Sequence, residues 1–298
     1  MEEDKTIKTW EDFEKKMKEF HSEVQEFKKK DGDDVDSQPF PLFRGQSNKV
    51  NKEKKWELES TLNRWQKDFP VEKYHQVIQS VKPAIESFTS KHWKLTEDSK
   101  KFTEAIKSRP GSINIEHDLE FMAHLRHTGF PSPLLDWTRS PYLAAFFAFN
   151  EDNEDNKTDP AIFMSIESSA RSGTSDKAAI WSIGSNLRTH RRHYLQQSDY
   201  TFSIKTIKNT LCYTSHEDAF SILKTESKID PNCPNQYIIK KYTLPYSQRA
   251  YFLSKLNSMN INAYSLFETE EGLMNKLANE EFLIKRLLRP CEARNDNF

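Results

Sequence analysis

The sequence predicts an α+β domain, in which helices cover a small mixed or antiparallel sheet. Several segments repeat apolar residues every three or four positions, which is the spacing of one face of a helix. Between them lie short apolar or alternating runs of the kind that form strands. These segments do not alternate as regular βαβ units do, and a doubly wound parallel sheet is therefore not expected.

Composition supports a packed core and removes several functional classes. Of the 298 residues, 36% are hydrophobic and 12% are aromatic, which suits a folded domain rather than a disordered chain. The 44 Lys and Arg residues nearly balance the 45 Asp and Glu residues, so the net charge of −1 gives no support for a nucleic-acid partner. Neither G-x-G-x-x-G nor G-x-x-x-x-G-K-[ST] occurs, which excludes the two common glycine-rich nucleotide loops.

Cysteine usage and the N-terminal residues predict a cytoplasmic protein without a membrane partner. The 3 cysteines are widely spaced and match neither a disulfide framework nor a zinc motif, as is typical of a reducing compartment. The N-terminal segment is too charged for a signal peptide, and no run of about 18 apolar residues occurs.

Hydrophobic spacing predicts the order of the elements within a single domain, residues 1–298. Its non-core parts are an N-terminal helix and loop at 1–38, a helical insertion at 65–118 and a C-terminal helix at 270–298. Within the insertion, Pro83 is expected to kink or end one helix. Strands are predicted at 42–43, 161–166, 179–183, 200–204 and 237–242, the last of these exposed or at an edge. A turn-like or alternating stretch at 56–64, a helix at 247–258 and an extended segment at 260–267 complete the prediction.

The central stretch, residues 121–149, joins two predicted helices through a polar turn. The first helix ends before Gly129, and Pro141 suits the first turn of the second. Asp136, Thr138 and Ser140 lie where an N-cap residue is expected. Free backbone N–H groups at such a helix start favour anions, so the turn is a candidate binding site. Simple helix capping is the alternative interpretation.

Arg44 ends the first predicted strand, directly after buried apolar residues. A guanidinium in such surroundings is rarely unpaired. Two alternatives stay open from the residues alone. Arg44 forms a structural salt bridge with Asp136, or it offers its fork of donors to a phosphate or carboxylate of a ligand.

The histidines and the basic run at 188–193 do not predict a metal site. His124 and His127 are three positions apart, but no H-E-x-x-H occurs and no Cys or acidic residue has ligand spacing. We expect them to be core or turn histidines, with His127 beside the turn as the one to test. The basic run is expected to be a solvated face, with phosphate contact as the alternative.

Several ordered motifs resemble the FRG domain, a family named for its Phe-Arg-Gly motif. The motifs are Phe43-Arg44-Gly45-Gln46-Ser47, W-x-L-x-S-x-L-x-R at 56–64, and HTGFPSPLLDWTRSP at 127–141. Gln196-Gln197 and YIIKKYTLP at 237–245 extend the resemblance to about residues 8–278. The chain departs from the usual family pattern at Arg126, Ser132-Pro133, Ser198 and Glu268, where the family has Gln, Thr-Arg, Gly and Pro.

The resemblance implies a bacterial effector linked to phage defence or toxin systems, with a motif order like that of the ADP-ribosyltransferase fold. That likeness implies NAD as the cofactor, contacted by Arg44, Gly45, Gln46, Trp137 and Thr138. Arg44 would hold the NAD phosphate or ribose, while Asp136 and Thr138 would organise the nicotinamide ribose. The implied catalytic set is Arg44, His127, Asp136, Thr138 and Gln197.

The carboxylate that such an enzyme needs is not evident from the sequence. Gln197 stands where a catalytic Glu is expected, beside the strand at 200–204. An amide cannot act as a general base, so Glu268, Glu270 and Glu271 are the acidic alternatives. Three functions therefore stay open: an NAD-consuming ADP-ribosyltransferase, a non-catalytic module that binds a nucleotide, small molecule or protein, and a nuclease-type toxin using Arg44, His127 and Asp136.

Overall fold

A mixed sheet with helices packed on it forms the fold in this computed structural model, which describes residues 2–4, 7–31, 40–47, 58–108, 115–151, 159–167, 177–183, 187–226 and 239–288. The strands are β1 (Glu2–Asp4), β2 (Phe40–Gln46), β3 (Phe69–Pro70), β4 (Leu135–Thr138), β5 (Ala161–Glu167), β6 (Ala178–Ser182), β7 (Ser198–Ile207), β8 (Thr210–Tyr213) and β9 (Lys240–Thr243).

The α-helices surround this sheet in chain order. They are α1 (Trp10–Asp31), α2 (Thr61–Trp65), α3 (Val71–Thr89), α4 (Ser99–Ser108), α5 (Glu116–His127), α6 (Pro141–Phe149), α7 (Arg191–Leu195), α8 (His216–Glu226), α9 (Arg249–Ser258), α10 (Ala263–Phe267), α11 (Glu270–Ala278) and α12 (Lys285–Leu288). A 3₁₀ turn at Tyr246–Gln248 precedes α9, and a π-helical segment at Asn279–Ile284 joins α11 to α12.

The strand order is β1-β9-β5-β2-β4-β7-β8-β3, with β6 paired to β7 outside this path. The β1–β9 pair is parallel and the other pairs are antiparallel. This arrangement confirms the α+β class, although the described sheet, with 9 strands, is larger than the predicted small one. The single-domain organisation stays a prediction.

The sheet separates between β2 and β4. These two fully described strands meet in register at one residue pair, Phe43 opposite Thr138. Beyond that pair, β2 continues along β5 and β4 continues along β7. The second half of β2 and the first half of β4 therefore diverge, which leaves backbone and side chains of both strands facing an opening.

Alternation along β2 sends neighbouring side chains into different parts of the core. Phe43 is fully buried and packs in a cluster with residues of α1, α6 and α9. Leu42 packs in another cluster with Trp137 of β4 and Phe163 of β5. A third cluster joins α3, α4 and α5 to β7. The apolar residues of this strand thus fix it from both faces and hold Arg44 at the opening.

Gly45 allows α6 to lie directly against β2. A Cβ atom at this position would stand 1.8 Å from the carbonyl oxygen of Ala144 and 2.7 Å from the backbone nitrogen of Ala148. Because real Cβ atoms do not approach backbone that closely, a residue without a side chain is required here. The Gly of the Phe-Arg-Gly motif therefore has a packing role.

Most of the predicted elements are confirmed, with end points shifted by a few residues. They are the helices α1, α5, α6, α9 and α11 and the strands β2, β5, β6 and β7. The sequence reasoning missed β1, β3, β8, α7 and α8. The predicted loops at 31–39 and 150–160 lie mainly outside the described residues, as do Trp56, Cys233 and Cys291.

Three predictions of secondary structure were wrong, and at Pro83 the predicted end of the helix was wrong while the predicted kink stays a prediction. Residues 260–267 form α10 rather than an extended segment, since Asn262 and Ser265 make a reciprocal capping box. Residues 61–65 form α2, whose N-cap Ser60 accepts a hydrogen bond from the Asn63 backbone. Helix α3 continues through Pro83. Strand β9 lies between β1 and β5 and is not an edge.

Candidate functional site

A cavity of about 400 Å³ lies where β2 and β4 separate. Strands β2 and β4 supply its back wall, the end of α5 and α2 supply one side, and α7 and the last residue of α10 supply another. Its lining comprises Phe43, Arg44, Gly45, Gln46, Ser47, Arg64, Arg126, His127, Asp136, Trp137, Thr138, Phe147, Asn150, Glu151, Arg192, Gln196, Ser198 and Phe267.

Nearly all of the candidate residues from the sequence line this one cavity. The exception is Gln197, which is exposed in the turn before β7 with a φ of 46° and is not part of the lining. Gln196 lies in the wall instead, and its Nε2 donates to the carbonyl oxygen of Leu266 at 3.3 Å. Of the acidic alternatives, Glu268 pairs with Arg191 at 2.9 Å, outside the cavity lining.

Arg44 spans the gap between the two separating strands. Its Nη1 donates to the backbone carbonyl oxygen of Asp136 at 2.7 Å. Its Nε is buried and has no hydrogen-bond partner. Burial lowers the pKa of Arg44 to about 10; the Asp136 carboxylate opposes this, and the charges of Arg126 and Arg64 add to it. A guanidinium with that pKa is still charged at neutral pH.

The carboxylate of Asp136 is held by Arg126 rather than by Arg44. Nη2 of Arg126 lies 2.7 Å from Oδ2 of Asp136, and the two side chains are 19% and 32% exposed. The other carboxylate oxygen, Oδ1, and Nε of Arg126 are buried without partners. The salt bridge considered for Arg44 is therefore not formed. Arg126 stands out in the sequence only as a departure from the family pattern.

Positive charge exceeds negative charge in this cavity. Four arginines line it, Arg44, Arg64, Arg126 and Arg192, against the two acids Asp136 and Glu151. Arg64 is exposed; partial burial of its guanidinium, followed by the neighbouring charge of Arg126, lowers its pKa.

The basic run of residues 188–193 divides between the surface and the cavity. Arg192 lines the cavity, its Nε donates to the Phe267 carbonyl oxygen at 3.4 Å, and its guanidinium lies over the Phe267 ring at 5.6 Å. Arg188 and Arg191 are exposed. The expectation of a solvated face therefore fits part of the run, while Arg192 is placed to contact a ligand.

The wall of the cavity is braced from behind by a buried hydrogen-bonded chain. Nε1 of Trp137 donates to Oγ1 of Thr201 at 2.7 Å, and Thr201 Oγ1 lies 2.6 Å from Nε2 of His216. Burial, followed by the charge of Arg44, lowers the pKa of His216 to about 3, so its imidazole is neutral. Thr201 can therefore donate its hydroxyl proton to His216 while it accepts from Trp137.

Ser140, not Asp136 or Thr138, caps helix α6. Its Oγ accepts from the Leu143 backbone at 3.4 Å, and Pro141 takes the first helical turn. Oγ1 of Thr138 accepts from the Ser140 backbone at 3.2 Å and so shapes the turn. The capping interpretation thus applies to Ser140, and the carboxylate of Asp136 stays directed at the cavity arginines.

His127 lies beside Tyr200 at the inner end of the cavity. Its Nε2 is 2.7 Å from the Tyr200 hydroxyl, and that hydroxyl is also 2.8 Å from Nδ1 of His193. Burial lowers the pKa of His127, an effect that the Asp136 charge partly opposes. His124 is buried, lies against the Trp93 ring at 4.8 Å and is not part of the lining.

The described residues contain no group of three or more His, Cys, Asp or Glu residues arranged to hold a metal ion. Among the described helices, none combines the length and the apolar composition needed to span a bilayer. The cytoplasmic location stays a prediction.

Comparison with known proteins gives one match. The family model of the FRG domain matches residues 41–157. The matched segment runs from β2 to just beyond α6 and includes Arg44, Arg64, Arg126, His127 and Asp136. No curated protein and no solved structure matches the chain. The extension of the resemblance to residues 8–278 stays a prediction.

Proposed function

We propose that this chain, which carries an FRG domain at residues 41–157, binds a phosphate-bearing nucleotide in the cavity between β2 and β4. The observation that carries the proposal is the convergence of Arg44, Arg64 and Arg126 around one carboxylate, that of Asp136. Glu59 also acts on Arg64, but Arg44 and Arg126 share a single acid, Asp136, which leaves positive charge that an anionic ligand would balance.

The donors that remain unused favour a phosphate group. Nε of Arg44 and Nε of Arg126 are both buried and have no hydrogen-bond partner among the described residues. A buried donor without a partner costs free energy, which an incoming phosphate oxygen would recover. Guanidinium groups bind phosphate through two parallel hydrogen bonds, and Arg192 adds a fourth such group to the lining.

The size and the aromatic part of the lining suit a nucleotide. A volume of about 400 Å³ falls within the range of small-molecule sites. Phe147 and Phe267 line the cavity beside the arginines, and aromatic side chains suit contact with a base. The ligand class is therefore an aromatic group joined to phosphate, with NAD as the candidate that the family resemblance suggests.

ADP-ribosyl transfer from NAD is the chemistry that we propose for this site. Arg44 holds phosphate or ribose, Asp136 and Thr138 orient the nicotinamide ribose, and His127 lies within the same cavity. The motif order supports this assignment by analogy, which is a weaker argument than site geometry. A role in phage defence or in a toxin system is the biological proposal that accompanies it.

A specific observation also favours a non-catalytic binding module. The Asp136 carboxylate is engaged by Arg126, and Gln197 lies outside the cavity lining. Glu151, the other acid in the lining, accepts a hydrogen bond from Ser47 at 2.8 Å. A site that binds the nucleotide without consuming it would need no free carboxylate.

Ligand-induced thermal stabilisation tests the proposal. The melting temperature of the wild type and of Arg44→Ala is measured with NAD, ADP-ribose and ATP. A ligand present at 100 times its dissociation constant stabilises the native state by about 2.7 kcal/mol. We expect stabilisation of the wild type by NAD or ADP-ribose and its loss in Arg44→Ala.

Arg191→Ala is the matched control, because Arg191 is exposed and pairs with Glu268 outside the cavity lining. This variant should keep the full ligand response. An unchanged response in Arg44→Ala, or no response of the wild type to any of the three ligands, would contradict the proposal. Where ADP-ribose stabilises the wild type but NAD is not consumed, the binding-module alternative holds and the transferase does not.

A further inference from the structure

A buried hydroxyl connects two histidines behind the cavity. The Tyr200 hydroxyl lies 2.7 Å from Nε2 of His127 and 2.8 Å from Nδ1 of His193. Tyr200 is completely buried, and His193 is 8% exposed. The rings of Tyr200 and His193 stack at 5.4 Å, whereas His127 meets Tyr200 edge-on at 5.9 Å. The three side chains come from β7, α7 and α5, so the fold brings them together across the chain.

The hydrogen-bonding capacity of the three groups allows a proton to pass along them. A phenol has one proton, so Tyr200 can donate to one histidine while it accepts from the other. Two arrangements satisfy all three groups. In one, His127 donates and Tyr200 donates onward to His193; in the other, both bonds run in the opposite direction. Switching between them moves protons without leaving a charge on the phenol.

We propose that Tyr200 connects His127 to His193 as a proton relay, which makes His127 the acid–base residue of the cavity. A proton arrives at Nδ1 of His127 from a ligand or from water. His127 then passes its Nε2 proton to the Tyr200 oxygen, and Tyr200 passes its own proton to Nδ1 of His193. One proton leaves from Nε2 of His193 to water, so each group regains its starting number of protons.

The open end of this relay lies at the cavity. His127 belongs to the cavity lining, and no hydrogen bond among the described residues uses its Nδ1. Burial raises the pKa of Tyr200 far above the usual phenol range, with the Asp136 and Asp199 charges adding to the effect. A phenolate is therefore excluded, and transfer through Tyr200 must combine the loss of one proton with the gain of another.

Charged groups on the neighbouring elements would bias the direction of the relay. Asp136 on β4 and Arg126 on α5 face His127 with opposite effects on its pKa, and His193 and His190 also act on it. Asp136 and Asp199 face Tyr200. A phosphate bound to Arg126 would change the field at His127, because Arg126 now balances Asp136. This inference deepens the proposed function, and it rests on the cavity being the binding site.

Titration of the histidine rings tests the relay without any ligand. The full chain is labelled with ¹⁵N in histidine, and the ring-nitrogen resonances are followed against pH in the wild type and in Tyr200→Phe. In the wild type we expect the His127 resonances to show two inflections, because its proton is shared along the relay. Tyr200→Phe keeps the buried ring but removes the hydroxyl, so His127 should then show one inflection.

Tyr213→Phe is the control, because Tyr213 is buried on the neighbouring strand and its hydroxyl has no hydrogen-bond partner. Coupling that persists in Tyr200→Phe comes from charge alone and would overturn the relay, as would independent titration in the wild type. If Tyr200→Phe does not fold, His193→Gln replaces it: a second inflection that persists at His127 then has another origin and overturns the relay. Since no nucleotide is added, failure of nucleotide binding and failure of the relay are separate results.

Discussion

Nη2 of Arg126 lies 2.7 Å from Oδ2 of Asp136, whereas Arg44 contacts only the backbone carbonyl oxygen of that residue. The side chain of Asp136 therefore balances Arg126, and Arg44 keeps its charge for another partner. The carboxylate thus pairs with Arg126 at the position where an anionic ligand would bind. This relationship makes Asp136 both a stabilising group and a competitor of the ligand.

Asp136→Asn should separate these two roles. Loss of the carboxylate leaves Arg126 without its ion-pair partner, and we expect the free energy of unfolding to fall by about 1–3 kcal/mol. The same variant should bind ADP, which lacks the nicotinamide ribose that Asp136 would orient, about threefold to tenfold more tightly, because a negative charge has left the cavity. Denaturant titration measures the first effect and isothermal titration calorimetry the second.

Glu281→Gln is a suitable control for the stability measurement. Glu281 pairs with Lys285, and the two side chains are 53% and 58% exposed, so this change should cost less than about 1 kcal/mol. Weaker binding of ADP by Asp136→Asn would show that the carboxylate favours the phosphate-bearing ligand rather than competing with it. The competing role of Asp136 would then be wrong.

Gly45→Ala should destabilise the protein more than any other glycine substitution in the described sheet and its turns. The added Cβ would stand 1.8 Å from the Ala144 carbonyl oxygen, which belongs to the helix backbone and cannot turn aside. We expect a loss of about 3 kcal/mol or more, the upper end for overpacking. The midpoint of guanidinium unfolding, measured with circular dichroism, gives the change.

Gly129→Ala provides the comparison for this prediction. Gly129 has a φ of 91°, but nothing lies within 4 Å of the position that its Cβ would take. Its substitution therefore carries backbone strain without a clash and should cost about 1–2 kcal/mol. Equal losses in the two variants would mean that α6 can move away from β2, contrary to the tight packing described above.

The sequence predicts the part of the site that lies in short continuous motifs. Arg44, Gly45 and the Asp136–Thr138 turn were identified because strand, turn and helix signals there occupy neighbouring positions. Arg64, Arg192 and Gln196 line the same cavity, but their placement depends on how distant segments pack. A local pattern cannot distinguish Arg192, which lies over Phe267, from Arg191, which points to solvent beside Glu268.

The separation of β2 from β4 was also beyond sequence reasoning. Strand periodicity gives the faces of a strand but not the neighbour on either edge. Pairing partners here are far apart in the chain: β2 lies between β4 and β5, and β4 lies between β2 and β7. Likewise, the pattern at 260–267 looked extended because the Asn262–Ser265 capping box was not recognised.

His216 should make stability depend on pH in the acid range. Its pKa is lowered from 6.5 to about 3 in the folded protein, mainly by burial. Below pH 6.5 the His216 ring of the unfolded chain takes up a proton that the folded chain does not bind. The stability contributed by the neutral ring is therefore complete above pH 6.5 and is lost as the pH falls towards 3. In this range the free energy of unfolding should fall by up to about 1.4 kcal/mol for each unit by which the pH is lowered.

His216→Gln isolates this contribution, because the Gln side-chain oxygen can still accept from Thr201. Urea unfolding between about pH 6 and about pH 4 should show a shallower loss of stability in the variant than in the wild type. His92→Gln, at a side chain that is 84% exposed, controls for the removal of a histidine. Parallel curves for the wild type and His216→Gln would contradict the buried neutral imidazole.

Asp118→Ala should unfold the helical segment that supports the arginine side of the cavity. Oδ1 of Asp118 lies 2.9 Å from Nε2 of His75, and its carboxylate also accepts from the backbone and hydroxyl of Thr96, at 2.8 to 3.2 Å. His75 and Asp118 are 0% and 1% exposed, so water cannot replace the hydrogen bonds that the substitution removes. Removing the acceptor of these buried hydrogen bonds leaves their donors unpaired, which costs about 1–3 kcal/mol.

This network joins α3 to α5, the helix that ends in Arg126 and His127. We therefore expect Asp118→Ala to lower the unfolding midpoint and, at temperatures below unfolding, to weaken ADP-ribose binding through displacement of Arg126. Glu97→Ala changes an exposed acid in the same connecting segment and should alter neither property. If Asp118→Ala lowers stability while ADP-ribose affinity stays at the wild-type value, the position of Arg126 is set by Asp136 and β4, and the helical segment has no part in shaping the site.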